Sequence, residues 1–187
     1  LARQRDMGIT VHLAEVEADR SYLKEQFRQT PAQFAEDVGL TGPKALLAHA
    51  VWLDANDISI LARTRTNVSH NPVSNAKLAS GIAPTPEMLA AGVNVGLGTD
   101  GGPSNNTYDL VREMRWASYI QKARTLDPVV MPTEAVLEMA TINGAKAMGM
   151  DEHPLKLVVV DSQGKFKLWH LAKLQPWWKT HAMLCSE

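Results

Sequence analysis

The sequence has few of the features that mark secreted, membrane-spanning or nucleic-acid-binding proteins. Cys185 is the single cysteine among 187 residues, so no internal disulfide can form, which is typical of a reducing compartment. The net charge of −1 offers no basic surface for nucleic acid or anionic lipid. No apolar run approaches the roughly 20 residues that a transmembrane helix needs. We therefore expect a cytoplasmic protein that binds neither nucleic acids nor membranes.

The N-terminus also lacks the marks of a cleaved leader. The first ten residues, LARQRDMGIT, do not start with Met and contain no apolar core of a signal peptide. They have the character of a charged helix end that enters a strand, so we expect the chain to begin inside a domain. A chain of this length can form one core or a large part of a bigger one.

Short β-prone segments alternate with helical patterns along residues 1–150. Strands are predicted at residues 9–12, 45–49, 67–70 and 93–99, and helices at 20–29, 31–38, 55–63, 86–91, 108–124 and 133–148. This βαβα order predicts a parallel sheet covered by helices. In the helix at 108–124, a period of about 3.6 residues predicts the face that packs on the sheet. The residues of that face are Leu110, Val111, Met114, Ala117, Ser118 and Ile120.

A polar residue stands at the carboxyl end of each predicted strand. These residues are His12, His49, His70 and Asp100. Taken singly, each His could be a structural residue and Asp100 a turn former of the TDGG segment. Because parallel strands deliver their carboxyl ends to one rim, four such residues together favour a metal or catalytic site there. Gly96 and Gly98 share the strand face of Asp100, which predicts open space for a ligand beside the carboxylate.

The segment from Gly96 to Gly101 also matches the dinucleotide-binding pattern G-x-G-x-x-G. Its first two glycines fall inside the predicted strand instead of the turn that follows it. Residues 103–106 then delay the next helix, so its N-terminus would not stand directly behind the third glycine. We therefore reject a nucleotide site at this position.

Four longer motifs carry a family resemblance. They are VHLAE (residues 11–15), LLAHAV (46–51), VSHNPVSNAKLASGIAP (68–84) and GLGTDGGPSNNTYDLVREMR (96–115). In order and spacing they resemble the amidohydrolase superfamily, in particular the branch of chlorohydrolases and S-adenosylhomocysteine/methylthioadenosine deaminases. The resemblance implies an α/β fold in which residues 1–150 form strands five to eight of a (β/α)₈ barrel, its C-terminal half.

The resemblance also implies roles for the residues at the rim. His12 would bind a catalytic metal, and Glu15 would be the acid that protonates a ring nitrogen of the substrate. His49 would shuttle a proton, and Asp100 would bind the metal and accept a proton from the attacking water. The residues at strand seven that would line the substrate pocket are His70, Asn71 and Ser74. The metal implied is zinc, with iron or another divalent ion as the alternative.

Two departures from the family pattern limit what the chain can do. The family's H-x-H pair at barrel strand one is absent, so only His12 and Asp100 remain of the ligands, whereas catalytic zinc takes three protein ligands. In residues 151–187, only 157–161 have a strand pattern, and the rest shows neither period nor turn signals. We interpret this tail as a divergent remnant of the family's small β-domain or as a damaged reading frame.

We therefore expect a fragment of a metal-dependent aminohydrolase that deaminates a purine nucleoside or a related heterocycle. On its own the fragment is expected to be inactive. One alternative is hydrolytic dechlorination of a triazine-like ring at the same site. Another is a non-catalytic half-barrel that associates with a partner or with a second copy of itself, because its edge strands are open.

Overall fold

The structure is a computed structural model, and it describes residues 2–150, 156–160 and 166–170. The chain divides into two compact units, Leu1–Met148 and Gly149–Glu187. Among the residues so described, no helix is both long enough and apolar enough to cross a membrane.

The first unit is built on a parallel sheet of four strands in the order β1-β2-β3-β4. The strands are β1 (Ile9–Leu13), β2 (Ala45–His49), β3 (Asn67–His70) and β4 (Val95–Leu97). Each pairs only with its neighbours in sequence, and all the pairs are parallel. The sheet predicted from the alternation of patterns is confirmed, although β4 is shorter than the predicted segment 93–99.

Nine helices surround or connect these strands within residues 2–150. They are α1 (Glu17–Phe27), α2 (Pro31–Asp37), α3 (Ala55–Thr64), α4 (Pro72–Lys77), α5 (Thr85–Ala90), α6 (Gly102–Asn105), α7 (Leu110–Thr125), α8 (Thr133–Ala140) and α9 (Ile142–Ala147). A short 3₁₀ turn, Arg3–Arg5, precedes β1. Asp54 caps the start of helix α3, because its carboxylate accepts from the backbone amides of Asn56 and Asp57.

Three of the helix predictions are wrong in detail. The predicted helix 133–148 is two helices, because Thr141 between them has φ −133° and ψ −87°. Its hydroxyl donates to the carbonyl of Leu137, a local bond that competes with regular helix geometry. Helix α4 was not predicted. The one-turn helix α6 begins directly after Gly101, where a delay was expected.

The buried face of α7 also differs from the predicted apolar face. Its buried residues are Glu113, Ala117 and Gln121, four positions apart. Of the predicted set only Ala117 is buried, and Val111 is 57% exposed. The two polar residues are buried because they have partners: Gln121, for example, donates to the carbonyl of Ala83 at 2.7 Å.

Gly96 in β4 and Gly98 just after it do not leave the open space that the sequence predicts. A Cβ atom at Gly96 would lie 3.3 Å from the backbone of Gly144, so α9 packs directly on the strand. A Cβ atom at Gly98 would lie 2.5 Å from the side-chain oxygens of Ser69 and Asn71. Both positions are glycine because protein atoms fill the space, and neither leaves room for a ligand.

The core lies between the sheet and these helices. Leu47, Val68 and Val95 of the strands are fully buried in one hydrophobic cluster. Leu61, Met88 and Met139 complete it from the helices. This packing fixes the strands, and therefore the rim at their carboxyl ends.

The second unit contains two antiparallel strands, β5 (Lys156–Val160) and β6 (Phe166–His170), with Lys156 opposite His170. Strand β5 coincides with the predicted strand 157–161 up to residue 160. Strand β6 lies in the segment where the sequence offers no pattern. The predictions for residues 171–187 lie outside the described residues.

Candidate active site

His12, Glu15 and His49 form a compact group at the carboxyl ends of β1 and β2. The register sets Leu13 opposite His49, so His12 stands beside it, with the two ring centroids 5.0 Å apart. One ligand atom from each of the three lies within 4.8 Å of the others. Two imidazole nitrogens and a carboxylate oxygen are donors that zinc and iron both accept.

The turns that carry this group have an unusual backbone. Ala14, His49 and Ala50 have positive φ angles of 49°, 72° and 48°, a region that residues other than glycine seldom adopt. The amide of Ala50 donates to the carbonyl of Leu13, and that of Val51 donates to Ala14. Such conformations persist where surrounding bonds hold them, and they concentrate at functional sites.

His49 is fully buried, but only one of its ring nitrogens has a partner. Nδ1 lies 2.8 Å from Oδ1 of Asn75. Nε2 has no hydrogen-bond partner within the described part of the chain, and it lies 3.7 Å from Oε2 of Glu15. A buried nitrogen of this kind costs free energy until it binds a cation or a proton donor. The group therefore fits a metal ion or a polar ligand.

Glu15 is held on its other side by the loop after α4. The hydroxyl of Ser80 donates to Oε1 of Glu15 at 3.3 Å. The indole Nε1 of Trp52 donates to the carbonyl of Ser80 at 2.7 Å. Gly81 has φ +124°, and a Cβ atom there would lie 2.9 Å from a methyl group of Val51. The loop therefore lies close against the turn after β2 and limits the positions that Glu15 can take.

Asp100 lies three residues after the carboxyl end of β4, the strand beyond β3 in the sheet, and its carboxylate already accepts hydrogen bonds. The hydroxyl of Ser74 donates to its Oδ2 at 2.6 Å. Burial works against ionisation of Asp100, but hydrogen bonds from Ser74, the Gly101 backbone and Ser104, together with nearby His49, hold its pKa below the ordinary value. Asp100 is therefore ionised at neutral pH.

Asp100 is not a member of the group formed by His12, Glu15 and His49 among the described residues. The ligand pair predicted from the sequence, His12 with Asp100, therefore remains a prediction. Ser74, expected to line the substrate pocket, donates to the Asp100 carboxylate, and its place in a pocket likewise remains a prediction.

A buried carboxyl group supports the loop that carries Asp100. The side-chain amide of Asn105 donates to the carbonyl of Thr99 and to Oε1 of Glu113, each at 2.6 Å. Oε2 of Glu113 accepts from the backbone amide of Val73 at 3.2 Å. Burial raises the pKa of Glu113. Glu113 thus connects α7 both to the loop after β4 and to α4, the helix that carries Ser74.

His70 and Asn71, the other predicted pocket residues, are buried beneath the rim. His70 is 1% exposed, and neither of its ring nitrogens has a partner in the part of the chain described. Burial, with a smaller electrostatic contribution from His49, lowers its pKa to about 3, so His70 is neutral at physiological pH. Asn71 accepts from the hydroxyl of Ser69 at 3.1 Å.

Sequence reasoning missed Asn75, Ser80 and Glu113, which hold the site residues in place. All three lie inside the family motifs, so their positions were visible. Their partners, however, are 26, 65 and 40 residues away in the chain, and no local period indicates such pairs.

The comparisons with known proteins decide the family. Residues 1–153 match the model described as "Amidohydrolase family". The chain belongs to the amidohydrolase family. Among curated amidohydrolase relatives, 5'-deoxyadenosine deaminase of Methanosarcina acetivorans is 47% identical over 86% of this chain. The 5-methylthioadenosine/S-adenosylhomocysteine deaminase of Thermococcus onnurineus is 47% identical over 80% of it.

Two solved structures with bound zinc are similar to this amidohydrolase chain. An adenosine deaminase from Xanthomonas campestris with bound zinc superposes with a TM-score of 0.77 and 33% identity, over 81% of this chain and 34% of that one. The atrazine chlorohydrolase of Arthrobacter aurescens, complexed with zinc, gives 0.71 and 29%, over 80% and 33%. The α/β fold with a parallel sheet is confirmed. The chain spans 38% and 35% of the two curated relatives' lengths, a little over a third.

Proposed function

We propose that this chain carries part of the active site of a metal-dependent aminohydrolase that deaminates a purine nucleoside or a related heterocycle. The observation that carries the proposal is the group of His12, Glu15 and His49, with the buried Nε2 of His49 left unpartnered. The proposal is also supported by sequence identity. Relatives named as deaminases of 5'-deoxyadenosine, or of methylthioadenosine and S-adenosylhomocysteine, are 43–48% identical to this chain.

The metal proposed is zinc, with iron or another divalent ion as the alternative. His12 would hold it, together with Asp100 as the family resemblance implies, or with Glu15 and His49 as their geometry allows. Bound there, such an ion would lower the pKa of a water molecule towards ~7.

The chain's own residues would move the protons. Glu15, whose Oε1 accepts from Ser80 and whose Oε2 lies 3.7 Å from Nε2 of His49, would donate to a ring nitrogen of the substrate. Asp100, kept ionised, would accept a proton from the attacking water. His49 would pass a proton through Nε2 to the leaving group. General acid–base steps of this kind are each worth roughly 10²–10⁴-fold in rate.

Hydrolytic dechlorination of a triazine-like ring is the second candidate. Its support is the superposition on atrazine chlorohydrolase, at 29% identity. Identity to the deaminases is higher, at 47%, and we therefore place deamination first.

We propose further that the 187-residue chain alone is inactive, because it spans little more than a third of its relatives' length. Strands β1 and β4 each have one neighbour in the described sheet, and they could pair with a missing half or a second copy. If pairing with a missing half or a second copy does not complete the site, the alternative hypothesis is a non-catalytic half-barrel.

A chimera tests the function directly. Residues 2–150 would replace the corresponding part of the Methanosarcina acetivorans deaminase, and ammonia or chloride release would be measured on 5'-substituted adenosines and chlorotriazines. We expect ammonia from the nucleosides, no turnover by the 187-residue chain alone, and a loss of roughly 10²–10⁴-fold in Glu15→Gln. Glu17→Gln, an exposed carboxylate two residues on, is the matched control. A folded chimera that releases chloride, or neither product, contradicts deamination.

A further inference from the structure

Asn75 lies behind His49, on the side away from Glu15. It belongs to α4 and is 1% exposed. Its Oδ1 lies 2.8 Å from Nδ1 of His49, whereas Nε2 of the same ring lies 3.7 Å from Oε2 of Glu15. The imidazole is thus placed between an amide on one side and a carboxylate on the other.

The backbone around Asn75 keeps its side chain in this place. Its amide donates to the carbonyl of Asn71, and its own carbonyl accepts from the amide of Ser80 at 2.9 Å. The hydroxyl of Ser80 bonds to Glu15. One residue of α4 is therefore joined both to His49 and, through Ser80, to the carboxylate that faces it.

The chemistry of the two neighbours determines where the imidazole proton resides. A neutral imidazole has one N–H and one lone pair, and an amide oxygen can only accept. With its proton on Nδ1, the ring donates to Asn75 and directs the Nε2 lone pair towards Glu15 and His12. The opposite tautomer would place a proton on Nε2, whose 3.7 Å separation from Glu15 exceeds hydrogen-bond length.

We propose that Asn75 is a positioning residue that holds His49 in the Nδ1–H tautomer and leaves Nε2 as a lone pair. A histidine that binds a cation or accepts a proton commonly has its other nitrogen fixed by such a bond. The role in a reaction rests on the proposed function. The tautomer itself does not, so a failure of one can be told from a failure of the other.

The test is the ¹⁵N spectrum of the histidine side chains in the whole 187-residue chain, recorded about two pH units above the ordinary imidazole pKa of ~6.5. His49→Gln assigns the His49 signals by their loss. In the unsubstituted chain we expect a protonated Nδ1 and an unprotonated Nε2. Finding the proton on Nε2 overturns the proposal without any variant.

Two variants of Asn75 sharpen the result. Asn75→Leu removes the acceptor, and we expect His49 to show both tautomers; Asn75→Asp keeps an acceptor, and we expect Nδ1–H to persist. Asn67→Leu is the matched control, because Asn67 is as buried but donates to the carbonyls of Pro43 and Ala45. An unchanged His49 spectrum in Asn75→Leu overturns the proposal. If Asn75→Leu does not fold, the unsubstituted chain and Asn75→Asp still decide it.

Discussion

The two halves of the rim differ in what their side-chain atoms are already bonded to. At the ends of β1 and β2, the Nε2 atom of His49 has no partner among the described residues and faces Glu15. At the end of β4, Asp100 accepts a short bond from Ser74. His70, at the end of β3, is enclosed and neutral. All four strands deliver a polar residue to the rim. Only the first pair belongs to a group of possible metal ligands among the described residues, whereas the two unpartnered nitrogens of His70 lie in an enclosed ring outside that group.

A position at the end of a strand therefore identifies a residue as a candidate for the site. Its hydrogen bonds then determine which of its atoms can still bind a ligand or a proton. On the β1–β2 side, Nε2 of His49 can bind a cation or a proton. On the β3–β4 side, the Asp100 carboxylate is ionised and bonded to Ser74, and the His70 ring is neutral and buried.

The largest expected difference is in metal affinity. In the 187-residue chain, His12→Gln should weaken zinc binding on the order of 100-fold, since loss of a ligand costs at least as much as loss of its supporting partners. His70→Gln, which changes the buried histidine of β3, should leave the affinity unchanged. Calorimetric titration measures both, and equal losses would erase the distinction between the two sides.

The next largest effect is expected at the support of the Asp100 loop. Glu113→Gln should lower the free energy of unfolding by about 1–3 kcal/mol, because the new NH₂ group would oppose a donor of Asn105 or Val73. Glu25→Gln, on the exposed surface of α1, should change it little. Urea denaturation measures both variants, and a neutral Glu113→Gln would show that the loop is held by other contacts.

His70 should make the protein less stable in acid. Its pKa falls from 6.5 to about 3 on folding, so between these values the unfolded chain binds the proton and the folded chain does not. Stability should therefore fall as the pH drops through this window, by up to about 1.4 kcal/mol per pH unit.

His70→Gln should flatten that slope. Met88→Leu, a core substitution with no titratable group, should lower the whole curve and keep the slope. Denaturation at a series of pH values distinguishes the two, and an unchanged slope in His70→Gln would place the acid sensitivity elsewhere.

The smallest effect is expected at Ser74. Ser74→Ala should cost about 0.5–1.5 kcal/mol and raise the pKa of Asp100 towards its ordinary 3.8. Because that pKa is lowered on folding, the stability that Asp100 contributes is present above 3.8 and is lost as the pH falls through the folded value. In Ser74→Ala the loss should be smaller and should end at a higher pH, because the folded pKa then lies closer to 3.8. Ser118→Ala removes a serine-to-carbonyl bond elsewhere and should leave the Asp100 carboxyl resonance unchanged.

The sheet was predictable because each strand is a local apolar segment bounded by turns. His12 and His49 were predictable for the same reason, since the rule of strand ends needs no knowledge of contacts. The buried face of α7 was not predictable, because the face was chosen by hydrophobicity. Glu113 and Gln121 can be buried because they form hydrogen bonds with residues 40 and 38 positions away.

The same limit explains why the space at Gly96 and Gly98 was mispredicted and why the bonding of each rim residue could not be predicted. The sequence predicted open space beside Gly96 because the helix that covers it, α9, begins 46 residues later in the chain. That helix was predicted only as part of a longer one. Which nitrogen of His49 is free depends on Asn75, and the ionisation of Asp100 depends on Ser74. Such pairings follow from the fold and cannot be read from the local pattern.

The indole of Trp52 gives the site an optical reporter. Its Nε1 donates to the carbonyl of Ser80, whose hydroxyl bonds to Glu15. Any ligand that draws Glu15 away from Ser80 would alter the polarity around this indole and shift its emission. Subtracting the fluorescence of Trp52→Phe from that of the unsubstituted chain cancels the emission of the other four tryptophans. The remaining Trp52 signal would then follow binding in real time without a label.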